Sequence, residues 1–244
     1  EAILINKLRA NEVLGVYDFA ENFKCGHQRE VQSAYYSQDS ATIHPVVTYY
    51  NCNDCKKPVR ESIILVSDDL THDYHLVNTF QKVVSNHLMT TRDLKLTTFY
   101  RFSDGCSSQY KSKGPISDIS YGKQDFGYTI HHNFSGTRHG KGASDGESGV
   151  VKRMASDAVK AGTAVISTSQ QLYAFLAENA TKGGRDDDCC IPFRRSVFFV
   201  KHDDVQRERQ DRAVKTVAGT RALHSVKSVT GGKVAIRNLS CFCD

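Results

Sequence analysis

Between Lys95 and Ser112 a run of β-forming residues ends on a carboxylate, and this junction limits the folds open to the chain. Lys95 to Phe102 is rich in β-branched and aromatic residues, and Asp104-Gly105 is a turn dipeptide that stops it. Asp104 is therefore delivered at the carboxyl end of a strand. In open α/β sheets ligands gather at such ends, which makes Asp104 a candidate site residue. A turn aspartate ahead of a helix cap is the plainer reading, and at this point both stand.

The other apolar segments can be read in order. Asn11 to Phe23 patterns as a first strand, whose alternation puts Asp18 on the same face as Leu14, Val16 and Ala20. A carboxylate on an apolar strand face needs an Arg or Lys partner or a metal. Ala41 to Tyr50 and Ser62 to Ser67 pattern as the second and third strands, with Cys52 to Lys57 as the turn between them. Thr71 is placed to cap a helix whose apolar stripe is Leu76, Val77, Phe80, Val83, Val84 and Leu88. Asp68, Asp69, His72 and Asp73 precede that helix, where negative side chains complement its N-terminus without any metal. Phe126 to Phe134 is a fifth strand. A glycine-rich basic loop, Ser135 to Gly142, then leads into a helix striped by Val150, Val151, Met154, Ala155, Ala158 and Val159. Another helix is expected around Gln170 to Ala177.

The chain has 244 residues, enough for one large domain or one domain with a small appendage. Gly183-Gly184 and the acidic run Asp186 to Asp188 mark a boundary, dividing a core at 1–184 from a small basic β-rich module at 185–244. From Thr181 onward 13 basic residues stand against 8 acidic ones, so the whole net charge of +5 lies in that tail. A basic appendage beside a neutral domain suits a polyanionic partner. No apolar run approaches the ~18 residues of a membrane span, nothing near the start resembles a signal peptide, and no membrane partner is expected. Glu1 at one end and Cys241-Phe242-Cys243-Asp244 at the other are expected to be cut ends of a longer chain.

Eight cysteines without a secretory segment read mostly as reduced thiols. Cys52 and Cys55 have the spacing of half a zinc site. Two further ligands are needed, from Cys25 with His27 or from Cys189 with Cys190. A hairpin turn with two incidental thiols is the commoner reading.

The order strand, strand, strand, helix, strand, helix, strand, helix is that of a ribonuclease H-like mixed five-stranded sheet with flanking helices. In that fold one carboxylate lies on the first strand, one at the end of the fourth and one at the start of the helix after the fifth. Asp18, Asp104 and Asp145 or Glu147 occupy those places. With Asp18-Phe19-Ala20-Glu21-Asn22, Ser67-Asp68-Asp69, Ser103-Asp104-Gly105-Cys106, Gln109-Tyr110-Lys111, His139-Gly140-Lys141-Gly142 and Asp145-Gly146, the chain resembles the DDE/DDD transposase and integrase superfamily, and within it a group of transposon-derived animal proteins.

The resemblance implies metal-dependent cleavage and joining of DNA, with Asp18, Asp104 and Asp145 holding two magnesium or manganese ions. It implies a phosphate-binding or proton-relaying role for His139, DNA contacts from Lys111, Arg138, Lys141, Arg194 and Arg195, a nuclear location and a homo-oligomer. Ser144-Asp145-Gly146-Glu147 has the form of a capping box, giving Glu147 a structural task and leaving Asp145 as the third ligand; Glu147 itself is the alternative. Two rivals share the fold: a domesticated protein that binds DNA or chromatin without cutting, and a nuclease that uses water only.

Overall fold

The computed structural model describes residues 2–26, 39–135, 142–181, 189–191, 194–208, 217–229 and 232–239. The chain is a mixed α/β protein built on one large sheet with helices on both faces. After a short helix α1 (Ala2–Ile5), strand β1 (Glu12–Tyr17) pairs antiparallel with β3 (Ser40–Asn51), and β3 pairs antiparallel with β4 (Pro58–Ser67). On its other side β1 pairs in parallel with β5 (Thr98–Ser103), which pairs in parallel with β6 (Thr129–Phe134). The central order is therefore β4-β3-β1-β5-β6.

The first strand is shorter than its pattern. It ends at Tyr17, and Phe23–Lys24 forms a separate short strand, β2, against Ala41 and Ser40 of β3. Asp18 thus lies one residue past the strand. The third strand is longer, starting at Pro58 and so carrying Arg60 and Glu61 into the sheet. Glu61 is fully buried, yet its carboxylate accepts from Tyr50 Oη at 2.6 Å, from Arg92 Nη2 at 2.8 Å and Nε at 3.1 Å, and from Ser196 Oγ at 2.9 Å, with His87 Nε2 at 2.8 Å. Burial alone raises a carboxyl's pKa, but the hydrogen bonds of His87 and Arg92 outweigh it and hold Glu61 at about 2.

Helix α2 (Tyr74–Asn86) packs Leu76, Val77, Phe80 and Val84 onto one face of the sheet. Its N-cap is Asp73 rather than Thr71: Asp73 Oδ1 accepts the Leu76 N–H at 2.9 Å, while the Thr71 N–H is taken by Asp69 at 2.8 Å. The helix runs on as a π-helical turn, His87–Thr91, which buries Leu88 and brings His87 to Glu61. Helices α3 (Lys113–Ser120) and α4 (Gly122–Phe126) separate β5 from β6. Gly127, at φ 82°, ends α4, and the fifth strand accordingly begins after Phe126. Helices α5 (Ala143–Lys160) and α6 (Ser169–Asn179) cover the opposite face with Val151, Ala155, Leu172 and Leu176.

The tail does contain strands, but they join the core's sheet. β7 (Arg195–Val200) pairs in parallel with β4, and β8 (Ser225–Ser228) pairs antiparallel with β6 and with β9 (Val234–Arg237). Hydrogen bonding thus runs unbroken from 1–184 into 185–244 at both edges. Strand patterning does not say which edge a strand will meet, which is why these segments read as a module of their own.

Candidate active site

The register brings two aspartates together. Val16 of β1 lies opposite Phe102 of β5 in a parallel pair, and Asp18 and Asp104 each follow two residues later, just past the ends of their strands. Asp145 arrives from the first turn of α5. It shares a hydrogen bond with Asp18, while Asp104 acts on Asp18 through its charge. Asp18 and Asp145 are thus in hydrogen-bond contact, and Asp104 is near enough to act on Asp18 by charge, at the carboxyl ends of two central strands.

Each acid is also anchored by a backbone N–H. Asp104 Oδ1 accepts from Cys106 at 3.1 Å, Asp145 Oδ2 accepts from Gly142 at 3.1 Å, and Asp18 accepts from Phe19. Burial, the shared hydrogen bond with Asp145, and the charges of Asp145 and Asp104 together raise Asp18 to about 7. Like charges that share a hydrogen bond keep a proton between them unless a cation replaces it. An all-oxygen donor set with excess negative charge fits magnesium or manganese.

The cap of α5 differs from the expected box. Gly142 is the N-cap, and Asp145 rather than Glu147 reaches back to its N–H. Glu147 is buried instead between two arginines, accepting from Arg60 Nη2 at 3.2 Å and Arg195 Nε at 2.8 Å. It is thus turned from the aspartates toward β4 and β7, and Arg195, expected to face DNA, is engaged by it. The box failed as a guide because two acids two residues apart on a helix point to different neighbours. Replacing Glu147 with Ala is expected to cost about 2 kcal/mol, below the range for a fully buried pair because both arginines are partly exposed and rehydrate. Urea denaturation measures it.

Of the other expected contacts, Lys111 lies beside the Asp104-Gly105 turn, its Nζ 5.0 Å from the centroid of the Phe134 ring, and burial lowers its pKa. Arg194 is exposed, and its carbonyl accepts the Ser62 N–H at 2.8 Å. Arg138, His139 and Lys141 lie outside the described residues. The second acidic group is structural. Asp69 is buried against Arg207 Nη1 at 2.6 Å, with His202 Nδ1 at 3.2 Å, and Asp73 caps α2 while accepting from Arg207 Nε at 2.8 Å. Tyr110, to which the sequence assigned no role of its own, is fully buried with Oη 3.1 Å from His44 Nε2; burial, then the charges of Asp104 and Asp18, keep it protonated.

The sheet, its flanking helices and the acidic cluster define a mixed α/β protein with a carboxylate site at strand ends. The chain belongs to the family described as domain of unknown function (DUF8701), which matches residues 3–240. No curated protein and no solved structure matches it.

Proposed function

We propose that this chain is a ribonuclease H-like phosphoryl transferase that cleaves and joins DNA. The carrying observation is the hydrogen-bonded pair of Asp18 and Asp145, with Asp104 near enough to raise the pKa of Asp18. The strand order β4-β3-β1-β5-β6, an antiparallel hairpin followed by parallel strands, supports the fold assignment.

Asp18, Asp104 and Asp145 would hold two divalent ions, which when bound activate a water or 3′-hydroxyl and stabilise the leaving oxygen. The chain's own part is positional. The backbone N–H groups of Phe19, Cys106 and Gly142 fix the three carboxyls, so that little reorganisation is needed on binding. Lys111, beside the Asp104-Gly105 turn, offers a cation to the DNA backbone. Among the described residues no helix is long and apolar enough to cross a membrane.

Incubating the protein with labelled duplex DNA and manganese tests the reading. Wild type is expected to nick or join the DNA. Asp104→Asn is expected to remain folded and lose this activity, since the amide keeps the shape but not the charge. Cleavage that survives Asp104→Asn refutes the assignment. DNA binding with no cleavage by wild type, across several end structures, favours the domesticated binding protein instead.

A further inference from the structure

Far from the aspartates, four cysteines come together at the opposite end of β4. Cys52 and Cys55 lie in the turn between β3 and β4, and Cys189 and Cys190 lie just ahead of β7. Cys52 Sγ is 3.4 Å from Cys190 Sγ, Cys55 Sγ is 3.5 Å from Cys189 Sγ, and all four sulfurs fall within 4.8 Å of one another. Four thiolates at about 2.3 Å from a tetrahedral ion stand about 3.8 Å apart. The observed spacing brackets that value.

We propose that Cys52, Cys55, Cys189 and Cys190 bind one structural zinc ion. The local backbone is built for it. Lys56, directly after Cys55, takes φ 60°, and the Cys52 carbonyl accepts the Lys56 N–H at 3.1 Å, so the turn folds round its two sulfurs. The N–H groups of Lys57 and Cys190 point at Cys55 Sγ, and that of Ile191 at Cys189 Sγ. Such donors stabilise thiolate in the way outer partners support metal ligands. On binding, the thiols release their protons to solvent.

Other arrangements fit less well. Two disulfides would account for two close pairs, but not for all four sulfurs surrounding a common centre. An iron–sulfur cluster would place iron and sulfide between the thiolates and spread them apart. Cys25, the other candidate ligand, is buried with Phe23, Ala41 and Val151 on the face covered by α5. With four protein ligands the site is closed, which is the structural rather than the catalytic form. Its effect is to fasten the β3–β4 turn to the chain entering β7, and so to hold a parallel edge strand in register on β4.

The test is metal analysis of the full chain purified under reducing conditions. About one zinc per chain is expected, lost in Cys55→Ser and Cys189→Ser. Because loss of a ligand can also unfold these variants, the wild-type protein is also stripped with chelator and titrated with cobalt. A tetrahedral tetrathiolate spectrum saturating at one equivalent supports the site. Folded, reduced wild type that takes up neither zinc nor cobalt overturns it, as does iron with acid-labile sulfide, or a native mass lower by four hydrogens under non-reducing conditions with no metal bound.

Discussion

Glu61→Ala is expected to lower stability by about 3–5 kcal/mol, because it strips the partner from a buried, ion-paired constellation. Arg92 and His87 lose a carboxylate that is fully shielded from solvent, and the hydroxyls of Tyr50 and Ser196 lose their acceptor. At about 2–4 °C per kcal/mol for a chain of this size, Tm should fall by roughly 10 °C. The effect has a pH signature. Glu61's folded-state pKa is depressed to about 2, so its stabilisation is complete above the ordinary glutamate range and is lost as pH falls toward that value. The Ala variant should show a shallower acid limb than wild type in urea titrations. A loss below about 1 kcal/mol would mean that the network is not the support described here.

Asp18→Asn should have opposite effects with and without metal. Asp18's pKa is raised to about 7, by burial first and then by Asp145 and Asp104. The folded state therefore holds a proton that the unfolded chain has released, and metal-free wild type loses stability as pH rises from the ordinary aspartate range through about 7. Above that pH the metal-free Asn variant is expected to melt higher than wild type, since one of three repelling charges is gone. Manganese should reverse the order by stabilising wild type alone. Thermal melts at pH 5 and pH 8, with manganese and with chelator, give the four comparisons needed. If Asp18→Asn is the less stable protein at pH 8 in chelator, the carboxyls do not repel one another and the metal assignment loses its physical basis.

Asp104 was legible because a turn dipeptide, a local property, ends its strand, whereas Asp18, expected within the first strand, lies one residue past its end. The existence of β3, β4 and β5 followed from their apolar and β-forming runs, although their registers did not. Glu61 escaped notice for the opposite reason. A glutamate in a polar-looking stretch becomes a strand residue only when Arg92 and His87, far along the chain, arrive to satisfy it. The capping task expected of Glu147 fell to Asp145 because S-x-x-E describes spacing and not which acid meets an arginine from another strand. Cys52 and Cys55 announced half a site in the sequence. That Cys189 and Cys190 complete the cluster follows from β7 entering beside β4, which no local pattern encodes.

That placement of β7 and β8 governs the order in which the protein becomes safe from self-association. Until residues beyond 194 have been synthesised, β4 and β6 both present unpaired backbone along an outer strand, and parallel pairing over such sequence separation is slow. A chain stopped at residue 184 keeps all three aspartates but leaves both flanks open. Its characteristic failure is to recruit a neighbour's strand during folding, well before any question of catalysis arises.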